Sequence, residues 1–214
     1  MIDPGGARGK ARRSSLGRCH LIVNVEGLQA GDEARVRALL AAGLPSLQAR
    51  AKGPNARRSL ERWSILRELA REAGAFFVVN GDIDAARTLD ADGIHLPAVG
   101  PMVREARVEA PHFSVGMSCH DREEVARAEG ADWIFLAPVF SVPAKGQPLG
   151  LNGFAMLAAQ SDAPAYALGG VDASNAAACL EAGAAGIAAI RSLWGAGGEA
   201  LIRALLAHEG EART

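Results

Sequence analysis

The chain has 214 residues, 49% of them apolar but only 5% aromatic, which fits one ordinary domain with a core built from Ala, Leu, Ile and Val. A formal net charge of −1 excludes any electrostatic case for nucleic acid or an acidic membrane as partner. No apolar run approaches the roughly 20 residues of a membrane span. Cys19, Cys119 and Cys179 are too few and too widely spaced for a disulfide framework or a metal site, so a reduced, cytoplasmic protein is expected.

Residues 1–18 carry Arg8, Lys10, Arg12, Arg13 and Arg18 against a single acid, Asp3, with almost nothing apolar, and read as a disordered basic tail. No apolar stretch follows those charges, as a secretory signal would require, and Pro4, Gly5 and Gly6 oppose an amphipathic targeting helix. From residue 19 to 214 one phrase recurs: a helical stretch, a small-residue turn, then a short apolar strand. It appears as LLAAGLPSLQAR from Leu39, ELAREAGAFFVVN from Glu68, ARTLDADGIHL from Ala86, ARAEGADWIFL from Ala126 and CLEAGAAGIAAI from Cys179. Glycine after a helix supplies a left-handed cap, and strands apolar on both faces belong to a parallel sheet covered by helices. Strands are predicted near 20–25, 46–50, 75–79, 93–96, 113–118, 133–137, 165–168 and 186–190. Helices are predicted near 31–43, 59–73, 83–89, 101–109, 121–129, 152–160, 173–182 and 198–208. Strict alternation permits a barrel or an open doubly wound sheet. Eight units, and the lack of a Gly-rich dinucleotide fingerprint in VNVEGLQAG after the first strand, favour a single-domain α/β protein, a (β/α)8 TIM barrel.

In such barrels chemistry sits where the strands end. Strand 2 ends Gln48-Ala49-Arg50-Ala51-Lys52, and period-two alternation puts Gln48, Arg50 and Lys52 on one side while the strand persists. Three long polar side chains on one face of a core strand are costly unless they bind something, so they read as a cationic wall for a phosphate or diphosphate; if the strand ends early, they are solvated instead. Asn80, His95 and Ser118 each close an apolar strand with a polar group, which suits a pocket rim, although each alone also suits a satisfied core or turn position. Cys119-His120 is rejected as a nucleophile and base because adjacent strand residues face opposite ways. His20 and His112 flank strand starts, at the end away from chemistry. The loop from Pro138 to Gly150 has the length of a lid, and Lys145 is its one charge, either closing over a ligand phosphate or simply solvated. Gly169 and Gly170 after strand 7, with Ile190 and Arg191 after strand 8, form the place where barrels frequently hold phosphate.

LQARAK, VVN, DADGIHL, SVGMSCHDREEVARAEGADWIFLAPVF, Lys145 with PLGL, and ALGGVDASNAAACLEAGAAGIAAI, in that order, resemble the thiamin phosphate synthase/TenI family over about residues 19 to 195. The resemblance implies a barrel that joins a pyrimidine methyl diphosphate to a thiazole phosphate, or one that tautomerises a thiazole carboxylate phosphate. It assigns diphosphate contacts to Gln48, Arg50, Lys52, Asn80 and Lys145, places His95 and Ser118 near the pyrimidine, and gives the thiazole phosphate to Gly170 and the Ile190-Arg191 turn. The implied catalytic set is His95, Lys145 and Ser118, with a neutral-range His pKa suited to acid–base work. The synthase pattern departs here at its metal: an Asn-Asp pair becomes Asn80-Gly81, and the acid after the strand 4 His is missing from Leu96 to Gly100. Two lid threonines become Val142 and Ala144, and the strand 8 Ser becomes Arg191. These losses favour a TenI-like protein acting on a thiazole phosphate, although Pro138 stands where the tautomerase pattern has His. A divergent synthase and a non-catalytic regulator are the alternatives. No metal site is assigned, and Mg²⁺ is expected only with synthase activity. The expected partner is a small phosphate ligand, with no nucleic acid and no membrane. Trp63 and Trp194 suit either a homodimer face or packing between helices.

Overall fold

The computed structural model describes residues 16–29, 31–51 and 60–211. Eight strands lie within one residue of their predicted bounds: β1 (Cys19–Asn24), β2 (Ser46–Arg50), β3 (Phe76–Asn80), β4 (Gly93–Leu96), β5 (Ser114–Cys119), β6 (Trp133–Leu136), β7 (Ala165–Leu168) and β8 (Gly186–Ala189). They pair in parallel and in chain order, and β1 pairs with β8, so the sheet closes into a (β/α)8 barrel. Around it run α1 (Asp32–Ala41), α2 (Leu60–Ala73), α3 (Ile83–Thr88), α4 (Val103–Glu109), α5 (Arg122–Arg127), α6 (Gly150–Ala158), α7 (Ala176–Glu181) and α9 (Gly198–Glu211). One extra turn, α8 (Arg191–Trp194), lies between β8 and α9. Among the described residues no helix is long and apolar enough to cross a membrane.

Closure makes two cores. The outward-facing residues of the strands, such as Leu21, Leu47, Ile94 and Ile187, pack with the helices in a mostly aliphatic layer that also takes in Trp63, Phe77, Phe113 and Phe154. The barrel interior departs from the aliphatic core expected from composition, for it holds Phe76, Trp133, Phe135 and Tyr166 together with Ile22, Val78 and Ala188. Aromatic rings fit because their inward-facing neighbours are glycines. A Cβ on Gly93 would stand 3.1 Å from Trp133 Cη2, and one on Gly186 2.8 Å from Tyr166 Cε1. Four of the ten aromatic residues thus fill the centre of the barrel, where one large flat group can serve several strands.

Three expectations change here. The tail drawn to residue 18 ends too late: Leu16 is buried in the barrel floor, its carbonyl accepts Ser46 Oγ at 2.5 Å, and the Arg18 carbonyl accepts the Ile187 N–H at 2.9 Å. Residues 1–15 lie outside the described residues. His20 does not merely flank a strand start; it points into the barrel and is fully buried. Trp63 is likewise fully buried and offers no surface to a second copy, while Trp194 is partly buried against the aliphatic core.

The recurrent Ala-Asp before a strand has a structural task. Asp92 Oδ2 accepts the Phe77 N–H at 2.9 Å, and Asp132 Oδ2 accepts the Val115 N–H at 2.7 Å, each stitching a strand start to the preceding strand. Arg67 and Arg107 lie 3.3 and 2.8 Å from these carboxylates. Asp132→Ala would strand a backbone donor and leave Arg107 without its carboxylate, so its unfolding free energy should fall by about 2 kcal/mol in urea denaturation. An unchanged midpoint would show that the stitch contributes nothing.

Candidate active site at the barrel mouth

Inward positions near the C-terminal ends of the strands carry polar groups, and the interior becomes less dry toward that end. Arg50 ends β2 half-buried, and its Nη1 donates to Asn24 Oδ1 on β1 at 2.9 Å. Burial lowers the guanidinium's pKa, and Glu26 partly restores it. Among the described residues Arg50 makes no ion pair, so its charge is available to an anion. Gln48 lies one layer deeper and is 1% exposed: its Nε2 donates to Asn80 Oδ1 at 2.8 Å, and its Oε1 lies 3.3 Å from His20 Nε2. It therefore orients Asn80 from below rather than facing the mouth beside Arg50. Lys52 lies outside the described residues.

His95 on β4 is 1% exposed and sits under Ser118, with Nε2 2.8 Å from Ser118 Oγ. Its other nitrogen, Nδ1, accepts the Trp133 indole N–H at 3.1 Å, and Phe135 stacks on the imidazole with ring centroids 4.1 Å apart. Burial holds the His95 pKa well below the usual imidazole range, with smaller contributions from His20 and Arg50. The neutral-range acid–base histidine expected from the sequence is thus corrected: burial disfavours an imidazolium, and among the described residues no carboxylate pairs with His95 to offset it. Ser118, by contrast, is partly exposed to the mouth.

Across the mouth, Gly169 and Gly170 turn with φ of 93° and 70°. A Cβ on Gly169 would stand 2.8 Å from Pro138 Cα, and one on Gly170 2.7 Å from Phe140 Cβ, so the turn lies against the start of the β6 loop and admits only glycine. That loop is pinned at its base, where Val139 and Phe140 donate to the Leu168 and Gly169 carbonyls and Leu149 and Gly150 donate back to Pro138 and Val139. Lys145 lies exposed near its tip. Ile190 precedes α8, and Arg191 begins it, exposed; neither Lys145 nor Arg191 has a side-chain partner among the described residues. Ser192, the next residue, has a buried hydroxyl with no hydrogen-bond partner. Arg35 on α1 fastens the far end of α8: Nε donates to the Trp194 carbonyl at 3.0 Å, Nη2 to the Gly195 carbonyl, and Nη1 pairs with Glu199 at 2.7 Å. Asn24, Trp133, Ser192 and Arg35 were not singled out from the sequence. Only the inward phase of β1 and β6 hinted at the first two.

Cys119 and His120 do not form a pair. Burial pushes the Cys119 thiol up to about 12, and His120 Nδ1 instead meets Glu124 at 2.8 Å. Nor do the side chains present fit a magnesium ion, which takes carboxylate and phosphate oxygens. Asp82, two residues after Asn80, is spent as the N-cap of α3, accepting the Ala85 N–H at 2.9 Å. Among the described residues no three His, Cys, Asp or Glu side chains converge.

A family model described as thiamine monophosphate synthase matches residues 19–193. A thiamine-phosphate synthase of Moorella thermoacetica is 36% identical over 171 residues, covering 75% of this chain and 80% of its own. One of Synechocystis is 37% identical over 165 residues and 75% of this chain, which spans only 48% of that longer protein. The solved structure of a thiamine phosphate pyrophosphorylase from Pyrococcus furiosus superposes with a TM-score of 0.80 at 29% identity, over 94% of this chain and 98% of that one. The chain belongs to the thiamine monophosphate synthase family.

Proposed function

We propose that this family member joins a pyrimidine methyl diphosphate to a thiazole phosphate and releases diphosphate, a transferase reaction. The thiazole nitrogen forms the new bond to the pyrimidine methylene carbon as its C–O bond breaks, and the electron pair leaves with diphosphate. Charge growing on the leaving group calls for preorganised donors. The observation that carries this reading is Arg50, a guanidinium half-buried at the mouth whose hydrogen-bond partner is the neutral Asn24 rather than a carboxylate. Lys52 and Lys145 join it in this reading, and the Gly169-Gly170 turn with Ile190 and Arg191 takes the thiazole phosphate. The names of the relatives support the synthase over the TenI-type reaction favoured by the sequence alone.

The test is diphosphate release with both substrates, which should appear one for one with thiamin phosphate. Arg50→Ala should lower kcat/KM by about tenfold to a hundredfold, the loss of one charge-assisted contact. One observation favours a second reading, a TenI-like protein acting on a thiazole phosphate alone: the acid beside Asn80 is replaced by Gly81, and Asp82 is turned into its helix. Thermal stabilisation by thiazole phosphate with no diphosphate release in any condition would support that reading. Stabilisation by both substrates without turnover would mark a binding protein.

A further inference from the structure

We infer that Trp133 is a positioning residue which, through His95, aims the Ser118 hydroxyl hydrogen at an uncharged acceptor of the ligand, such as a heteroaromatic ring nitrogen. An indole N–H donates and never accepts. Trp133 Nε1 lies 3.1 Å from His95 Nδ1, so that nitrogen carries the lone pair. A neutral imidazole then bears its hydrogen on Nε2, which lies 2.8 Å from Ser118 Oγ and donates to it. Ser118 Oγ is thereby an acceptor toward the barrel, and its own hydrogen has no acceptor among the described residues, leaving it for the mouth.

The relay exists because Gly116 leaves the inward face of β5 without a side chain between Ser114 and Ser118. His95, Gly116 and Trp133 are lateral neighbours in the register of β4, β5 and β6. The indole crosses the position where a Gly116 Cβ would stand, 2.1 Å from Nε1. Phe135 under the imidazole and Phe76 edge-on to the indole at 6.2 Å hold both rings in place.

The acceptor is an uncharged one because of where β5 lies. Arg50 on β2 and Arg191 after β8 are each three strands away around the closed sheet, and Lys145, on the neighbouring β6 loop, lies exposed near the loop's tip, so the cations fixed at the barrel wall draw the charged part of a ligand to the other side of the mouth. This rests on the reading above only in requiring that a ligand enter the mouth.

Two measurements test it. In the ¹⁵N spectrum of the free wild-type protein at pH 7, His95 Nδ1 should be unprotonated, Nε2 protonated, and a hydrogen-bond coupling should link Nδ1 to Trp133 Nε1. A proton on Nδ1 overturns the inference whether or not any ligand binds. In calorimetry, Ser118→Ala and Trp133→Phe should each weaken hydroxymethylpyrimidine diphosphate about tenfold, the double variant should lose no more, and inorganic diphosphate should bind all of them alike. Additive losses, or equal losses for inorganic diphosphate, would refute it. Should wild-type protein bind neither probe, the proposed function fails while the spectrum still decides the relay.

Discussion

Gly116→Ala should lose about 3 kcal/mol of stability and disorganise the mouth, although it adds only one methyl group. The added carbon would stand 2.0 Å from Trp133 Cε2 and 2.1 Å from Nε1. The indole is 1% exposed and has no free side to move to, since Phe76 and the Gly93 backbone close it in. Close-packed interiors accommodate such an intrusion only by forcing rotamers and shifting backbone. The indole would leave His95 Nδ1 without its donor, so the change should also appear in Trp fluorescence and near-UV circular dichroism. Trp133→Leu on the same background should restore part of the lost stability, because it vacates the disputed volume, and this pair should be strongly non-additive in urea denaturation. A wild-type midpoint for Gly116→Ala would disprove the packing described for the barrel centre.

The second large effect is with pH. Burial lowers the His20 pKa from the ordinary 6.5 to about 4, despite the bond to Gln48. The unfolded chain therefore takes up a proton at His20 below about pH 6.5, while the folded chain resists it down to about pH 4. Because the unfolded state binds more protons in that window, stability rises with pH across it, is complete above it, and is lost as the solution is acidified. The His20 contribution alone is about 3 kcal/mol by pH 4, and His95 acts in the same direction. Guanidinium midpoints at pH 7 and pH 4.5 should differ accordingly. Carboxylates titrate in the same range, so His20→Asn isolates the effect: it should be less stable than wild type at pH 7 yet fall less steeply on acidification. An equal fall in both proteins would show that His20 is not the group responsible.

Much of this molecule is decided locally. A helix closed by glycine and followed by a strand apolar on both faces has few ways to hide that strand, and a parallel sheet under helices is the simplest. Hence the repeated phrases beginning at Leu39, Glu68, Ala86, Ala126 and Cys179 placed five strands, β2, β3, β4, β6 and β8, and the apolar segments in the gaps between them gave the other three. Asn80, His95 and Ser118 were legible as polar residues closing apolar strands, Arg50 by period-two alternation along strand 2, and the closed barrel brings these strand ends together. Matching motifs in chain order likewise sufficed for the family.

What alternation along a strand leaves open is depth, and depth decides chemistry. Gln48 and Arg50 lie on the same face of one strand, yet one is sealed into a network with His20 and Asn80 while the other reaches the mouth. Whether a histidine titrates near neutrality, and which of its nitrogens holds the proton, depends on what the neighbouring strands set beside it. Trp133 reaches His95 only because Gly116, between them in the register, has no side chain. Fold and membership were legible in the sequence because they rest on spacing along one chain, whereas the neutral His95 and the aim of Ser118 arise only when strands far apart in that chain are closed into the same ring.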